Sequence, residues 1–127
     1  MFIWIFMLVC DLILPLMLMF FGKSFEKNPP PEINDWMGYR TKMSKKNINT
    51  WNFAHKYWGK TTFIFGLAAL PVSAALMLPV LGQSEEVIGA VGGAICFLQI
   101  AMIFVTMALT ERALKKNFDS EGNPKNP

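Results

Sequence analysis

Three long apolar runs constrain the fold of this 127-residue chain more than any other feature. They cover Met1–Phe21, Thr61–Leu81 and Val87–Leu109, and Asp11 is the only charged residue in any of them. The hydrocarbon core of a bilayer is about 30 Å thick, so a helix that rises about 1.5 Å per residue crosses it in roughly 20 residues. Each run is long enough, and none shows the alternation of a barrel strand. We therefore predict an all-α membrane protein with three transmembrane helices.

The composition agrees with this class, because 53% of the residues are apolar and only 17% are charged. The first run has no lysine or arginine before it and no small-x-small cleavage site after it, so we expect a retained helix and not a cleaved signal peptide. The expected organisation is transmembrane helices at 1–22, 61–81 and 87–110, a cytoplasmic loop at 23–60, and a cytoplasmic tail at 111–127. The polar, Gly/Pro-containing tail has the composition of a frayed end.

The orientation follows from the lysines and arginines that flank the spans. The loop before the second span carries eight of them, whereas the turn before the third span carries only Glu85 and Glu86. We therefore expect a multi-pass cell-membrane protein whose N-terminus lies outside and whose C-terminus is cytoplasmic. Because the basic residues lie next to membrane ends, the expected partner is the lipid bilayer, with no direct contact to nucleic acid.

A polar and aromatic block lies between the first two spans. Three prolines at 29–31 predict an extended path, and Gly38 allows a tight turn. From Ser44 onward the pattern indicates a cytoplasmic amphipathic motif helix, with Thr41 or Ser44 as its cap. One face of this helix would carry Asn47, Trp51, Ala54, His55 and Trp58, and the opposite face Lys45, Lys46, Asn52, Lys56 and Lys60.

Two interpretations of this block stay open. It can be an interfacial helix, with aromatic residues at the headgroup level and lysines toward anionic lipid. However, several polar residues lie where lipid anchoring does not require them, and an unsatisfied buried polar group costs about 1–3 kcal/mol. They can therefore bond to each other or to a ligand. The candidate binding residues are Asn34, Tyr39, Arg40, Thr41, Ser44, Asn47, Trp51 and His55.

The block also carries a specific pattern: a proline-rich lead, "IN", "GYRT", and then "S..N...W..AH...G", flanked by hydrophobic helices. The residues of the pattern are Pro30, Pro31, Ile33, Asn34, Gly38, Tyr39, Arg40, Thr41, Ser44, Asn47, Trp51, Ala54, His55 and Gly59. This pattern resembles the SdpI family of bacterial membrane immunity proteins, and the chain is similar to a short, three-helix member. Lys42 departs from the pattern, since many relatives carry proline there.

The resemblance implies a cell-membrane protein that gives immunity to, or senses, a membrane-active antimicrobial peptide. For some members it also implies signalling by holding a transcriptional repressor at the membrane. The partners expected from it are thus a peptide toxin and a transcriptional repressor. The resemblance implies no catalytic mechanism. The sequence has a single histidine and shows no cofactor motif or cluster of metal ligands, so it offers few candidate catalytic residues and we expect no enzyme.

Asp11 is a further candidate, because an acidic residue near the membrane midplane costs about 2.5–3.5 kcal/mol on insertion scales. It can have a structural role beside Pro15, or pair with Gln99 or Thr106 of the third span, or act in a transport or lipid-handling subunit, which is the alternative function. Cys10 and Cys96 are expected to pack as small apolar side chains. A small-residue face at Gly89 and Gly93 favours close packing of another helix and a homodimer.

The predicted orientation can be tested by cysteine labelling in intact cells. With eight basic residues in one loop and none in the other, Ser84→Cys should react with a membrane-impermeant thiol reagent. Ser24→Cys should be protected until the membrane is opened. The reverse labelling pattern would invert the orientation of the protein.

Overall fold

The structure, a computed structural model, describes residues 1–125, and three long helices form this part of the chain. They are α1 (Phe2–Lys27), α2 (Ile48–Met77) and α3 (Glu85–Asn117), with a short 3-10 turn at Leu78–Val80 after α2. Each helix is long and apolar enough to cross a membrane. The predicted all-α fold with three potential membrane spans is therefore confirmed. We call the end of the bundle where α1 ends, α2 begins and α3 ends the basic end.

The motif helix and the second span form one continuous helix, α2. Asn47 caps it: the Asn47 side chain accepts a hydrogen bond from the Thr50 N–H (2.9 Å), and the Thr50 hydroxyl oxygen accepts one from the Asn47 N–H (3.0 Å). The expected cap at Thr41 or Ser44 is wrong, because these two residues bond to each other in a turn before the helix. No proline lies between the cap and residue 71, so the helix continues from the basic segment into the apolar one.

Glycines allow the backbones of α1 and α2 to touch at the basic end. A Cβ atom on Gly22 would lie 2.6 Å from the Gly59 carbonyl oxygen, and one on Gly59 would lie 2.5 Å from the Gly22 carbonyl oxygen. Further along, a Cβ on Gly66 would lie 2.7 Å from the Pro15 carbonyl oxygen. Such close approach is how helices associate in lipid, where packing replaces the hydrophobic effect as the attraction.

The interior of the bundle contains many polar side chains beside apolar ones, and its outer surface is apolar. The buried polar side chains of the three helices are Asp11, Thr50, His55, Thr62, Ser73, Gln99, Thr106 and Thr110. Large apolar side chains such as Phe20, Phe97 and Phe104 are exposed. A bundle in water would bury these phenylalanines, so this distribution suits a lipid environment.

A proline explains one contact at the centre of the bundle. Pro15 has no N–H, so the carbonyl of Asp11, four residues earlier, lacks its helical donor. The side-chain amide of Gln99 donates to this carbonyl (2.7 Å) and also lies 2.8 Å from the Ser73 hydroxyl oxygen. The Cys96 thiol donates to Asp11 Oδ1 (2.9 Å). Gln99 of α3 thus links the Asp11 carbonyl of α1 to Ser73 of α2, and Asp11 itself is fully buried.

The expectations for this region are met in part. Gln99 contacts Asp11, but the Thr106 hydroxyl donates to the carbonyl of Ile103 in its own helix (2.6 Å). Cys96 is half-buried and forms a hydrogen bond, so it does more than pack as an apolar side chain.

In the described chain, no other helix covers the expected small-residue face of α3 at Gly89 and Gly93. A Cβ atom on Gly89 or Gly93 would have no other atom within 4 Å, whereas Gly92 contacts Met7 of α1. Within the described chain, Gly92 is therefore the glycine of this cluster that packs on another helix. Homodimerisation through Gly89 and Gly93 stays a prediction.

The tail is folded and not frayed over its described part. Phe118 is buried, it forms an antiparallel bridge with Pro124, and its ring lies 5.4 Å from that of Phe53. The Asn47 side-chain amide donates to the carbonyl of Gly122 (2.8 Å). The composition pointed to a frayed end because it carries no sign of these contacts to α2. Residues 126 and 127 of the predicted tail lie outside the described residues.

The close contact between Gly59 and α1 predicts how one added methyl group changes the stability of the protein. Gly59→Ala should lower the free energy of unfolding by about 1–3 kcal/mol, because the new Cβ overlaps the backbone of α1. Gly93→Ala is the matched control and should cause no loss, since its Cβ meets no atom and alanine favours a helix. Unfolding of the purified protein in mixed micelles measures both. Equal stability of the two variants would contradict the close contact.

Candidate functional site

The motif loop, residues 28–47, connects α1 to α2 and packs on the first turns of α2. The indole N–H of Trp51 donates to the carbonyl of Pro30 (2.8 Å), so the proline-rich lead is fixed to the helix. Trp51 is fully buried, and its ring lies 4.3 Å from that of His55. The buried Trp51 side chain therefore holds the proline-rich part of the loop against α2.

Asn34 shapes a turn within the motif loop. Its side-chain oxygen accepts hydrogen bonds from the backbone N–H groups of Trp36 (2.9 Å) and Met37 (2.8 Å). Its amide donates to the carbonyl of Glu32 (2.9 Å). This is the local bonding by which asparagine forms turns, and it leaves Trp36 and Met37 exposed.

His55 joins the motif loop to α2 through both ring nitrogens. Nε2 accepts a hydrogen bond from the backbone N–H of Tyr39 (2.9 Å), and Nδ1 lies 2.8 Å from the carbonyl oxygen of Trp51. A backbone N–H can only donate, so Nε2 carries no proton and Nδ1 donates to the carbonyl. His55 is thus a neutral, fully buried imidazole with both nitrogens occupied. This arrangement suits a structural role better than that of a base.

Gly38 is required next to this histidine. Its φ of 99° lies in the left-handed region, and a Cβ atom there would overlap the imidazole ring of His55. Glycine satisfies both conditions because it has no side chain. The predicted tight turn at Gly38 is confirmed.

Tyr39 connects the motif loop to α3. Its hydroxyl lies 2.7 Å from Glu111 Oε1 and 3.1 Å from the carbonyl oxygen of Met107. Burial raises the pKa of Tyr39, and the neighbouring Glu111 carboxylate raises it further. The phenol therefore stays protonated at neutral pH and remains a donor to Glu111.

Thr41 and Ser44 close a second turn of the loop. The N–H of Thr41 donates to the Ser44 hydroxyl oxygen (2.9 Å), and the N–H of Ser44 donates to the Thr41 hydroxyl oxygen (3.1 Å). The Thr50 hydroxyl donates to the Ser44 carbonyl (3.0 Å). Ser44 is fully buried, so it holds the turn in place.

A cavity of about 320 Å³ lies beside Arg40. We call it the Arg40 cavity. It is lined by Asp35, Gly38, Tyr39, Arg40, Thr41, Lys45, Trp58, Ile103 and Met107. The loop, α2 and α3 all contribute to it.

The charged groups at this cavity are Asp35, Arg40 and Lys45. Lys45 Nζ contacts Asp35 Oδ1 (2.6 Å) and lowers the pKa of that carboxyl. Arg40 donates one N–H group to the backbone carbonyl of Asp35, and in the described structure it forms no contact with the Asp35 carboxylate. Arg40 is exposed, and within residues 1–125 its other donors are free.

Trp58 lines the cavity and carries a buried, unpaired donor in the described residues. Its indole nitrogen is buried and has no hydrogen-bond partner among the described residues. The ring packs on Tyr39 (5.8 Å) and Phe25 (6.0 Å), which fixes its position. A buried N–H without a partner is costly, so an acceptor group beside Trp58 would be favourable.

The structure divides the predicted site residues by position. Tyr39, Arg40 and Thr41 line the cavity, whereas Ser44, Trp51 and His55 are buried beneath it. Asn34 forms a turn, Asn47 caps α2, and Asp11 lies apart in the bundle.

Sequence reasoning missed several residues that line the cavity. Trp58 was on the predicted aromatic face, and that was a usable signal. Lys45 was assigned to the opposite, lysine-bearing face, because the pattern predicted a helix from Ser44 onward. In the structure α2 begins at Ile48, so Lys45 lies in the motif loop. Ile103 and Met107 lie within an apolar span and carry no signal of their own. Within residues 1–125, no three His, Cys, Asp or Glu side chains cluster closely enough to hold a metal ion.

The comparison with protein families locates this site within a matched segment. The model of the SdpI/YfhL protein family matches residues 32–110, which is more than half of the chain. Every residue that lines the Arg40 cavity falls within this segment. No curated protein and no solved structure shows a significant match.

The support of the loop by α2 can be tested with two substitutions on the same helix. Trp51→Ala should lower the free energy of unfolding by about 3–5 kcal/mol, because it empties a buried site and removes the bond to Pro30. Lys56→Ala, on the exposed side, should change it by less than about 0.5 kcal/mol. Unfolding in detergent is the measurement, and small, equal effects would indicate simple lipid anchoring.

Proposed function

The chain belongs to the SdpI/YfhL protein family and is a multi-pass membrane protein, and we propose that it gives immunity to, or senses, a membrane-active antimicrobial peptide. The observation that carries this proposal is the family match, which contains the whole lining of the Arg40 cavity. The cavity would be the contact point for the peptide, and Arg40 its principal binding residue.

The size and donors of the cavity suit one group of a peptide. At about 320 Å³ it is near the lower limit of ligand pockets, so it would take a side chain or a chain end and not a whole peptide. Arg40 offers a planar set of donors that matches a carboxylate, and Trp58 offers an unpaired indole N–H. An acidic side chain or a C-terminal carboxylate of the peptide fits these donors.

The buried bonds beneath the cavity hold the motif loop in one conformation. His55 fixes Tyr39, and Ser44 fixes Thr41, on the two sides of Arg40. A surface that is already ordered loses little conformational entropy when it binds a partner. This supports a role of the loop in recognition.

In the sensing form of the proposal, a transcriptional repressor binds the rim of the motif loop. Trp36 is 89% exposed and Met37 is 60% exposed, although both precede the apolar part of α2. Adjacent exposed apolar side chains outside a membrane span favour contact with a protein. The repressor would bind there while the peptide contacts Arg40.

A transport or lipid-handling subunit is the second candidate, and Asp11 is the observation that favours it. Asp11 Oδ2 and Gln99 Oε1 are buried without a partner in the described residues. However, Asp11 is fully buried and is hydrogen-bonded by the Cys96 and Gln99 side chains of α3, which supports a packing role. We therefore place binding before transport.

Arg40→Lys separates recognition from topology. The variant keeps the charge, so it should reach the membrane at normal abundance, but it should lose most of its protection because lysine cannot form the bidentate contact. Loss of a charge-assisted contact of about 1.5–3 kcal/mol corresponds to roughly 10- to 100-fold weaker peptide binding. The assay measures membrane abundance and survival of a sensitive bacterium exposed to candidate membrane-active peptides.

Asp11→Asn is the control in the same assay. It keeps the shape of the buried side chain, so protection should persist if the motif loop is the working surface. Full survival with Arg40→Lys at unchanged abundance would reduce Arg40 to a topology signal. Loss of protection with Asp11→Asn alone would favour the transport candidate.

A further inference from the structure

A second, larger cavity opens at the basic end, on the other side of the Thr41–Ser44 turn. Its volume is about 810 Å³. The turn before α2, the last turns of α3 and the folded tail form its walls. The residues used below are Lys42, Met43, Lys46, Lys115, Phe118 and Lys125. We call it the lysine cavity.

The free charge of this cavity is positive. Four lysines line it, together with Glu111 and Asp119. Glu111 already accepts a hydrogen bond from Tyr39 (2.7 Å), and Asp119 Oδ1 accepts two from backbone N–H groups of the tail (2.9 Å each). The one ion pair found within residues 1–125 joins Lys45 to Asp35, so the four lysines of the cavity are unpaired there. Four ammonium groups facing one cavity favour an anionic ligand.

The depth of the cavity matches the headgroup layer of a bilayer. The apolar run of α3 ends at Leu109, and Glu111 and Lys115 follow about 3 Å and 9 Å further along the helix axis. The headgroup layer of one leaflet is roughly 5–7 Å thick. Helical side chains lean toward the N-terminus of their helix, so the Lys115 side chain is directed back toward the membrane. Its ammonium group can therefore reach the phosphate level.

The fourth lysine is positioned by the fold of the tail. The N–H of Lys125 donates to the carbonyl of Asn117 (3.0 Å), and the Phe118–Pro124 bridge closes the turn between them. Buried Phe118 and half-buried Met43 add apolar surface beside the lysines. An amphiphile with a charged head matches this combination better than a fully soluble anion does.

We propose that the lysine cavity binds the phosphate headgroup of an anionic phospholipid from the leaflet at the basic end. The four lysines contact the phosphate, while Met43 and Phe118 form the apolar wall beside them. A zwitterionic lipid binds more weakly, because its choline group is repelled by the same lysines. The site is separate from the Arg40 cavity and does not depend on the proposed immunity function.

Binding of short-chain lipids to the purified full-length protein in an uncharged detergent tests this proposal. Dioctanoyl phosphatidylglycerol should bind at least about 10-fold more tightly than dioctanoyl phosphatidylcholine. The double variant Lys46→Gln/Lys115→Gln should bind phosphatidylglycerol roughly 25-fold more weakly, at about fivefold for each lysine. The control Lys56→Gln/Lys60→Gln loses the same charge from α2 outside the cavity and should change binding less than about twofold. Thermal unfolding without lipid checks that both variants are folded.

Several outcomes would overturn the proposal. Equal binding of the two lipids would remove the preference for anionic headgroups, and equal losses in the two double variants would show a general charge effect. Inorganic phosphate that competes at the same concentration as the lipid would assign the cavity to a soluble phosphate. An oligoglutamate peptide that competes equally well would assign it to an acidic protein segment.

Discussion

The neutral imidazole of His55 is the interaction on which the rest of the motif loop depends. It accepts the N–H of Tyr39 and donates to the carbonyl of Trp51, so one buried ring connects the loop to α2. Gly38 must be glycine because a side chain would overlap this ring. Tyr39, once held there, reaches Glu111 on α3. Loss of the imidazole would leave a buried backbone N–H without a partner, at a cost of about 1–3 kcal/mol.

The close contact between α1 and α2 gives this histidine its rigid surroundings. Gly22 and Gly59 bring the two backbones together one turn beyond His55, and the ring of Phe25 lies 5.6 Å from the imidazole. Lipid gives no hydrophobic attraction between helices, so small residues and interhelical hydrogen bonds have to supply the association. The Asp11–Gln99 contact does the same for α1 and α3 deeper in the bundle. The motif loop thus packs on helices that contact each other closely at two places, at Gly22 and Gly59 and at Asp11 and Gln99.

The Thr41–Ser44 turn separates two cavities of different character. On one side, Arg40, Lys45 and Asp35 line a small cavity, together with Trp58, whose buried indole N–H has no partner in the described residues. On the other side, Lys42 and Lys46 face a larger cavity with free positive charge. Successive residues of one short turn therefore supply both sites. A partner bound in one cavity would contact the same turn that shapes the other, so the proposed peptide contact and the proposed lipid contact would lie next to each other.

The three helices follow from the sequence, because each apolar run is long enough to cross a bilayer and none alternates like a barrel strand. The sequence also located the motif loop and its tight turn, since prolines and Gly38 act locally. It could not select the cap of α2, because Thr41, Ser44 and Asn47 are all good capping residues. The pairing of Tyr39 with Glu111, the folded tail and the contact of Arg40 with the Asp35 carbonyl are visible only in the tertiary structure. These contacts depend on how helices distant in sequence are rotated against each other, and hydropathy carries no record of that rotation.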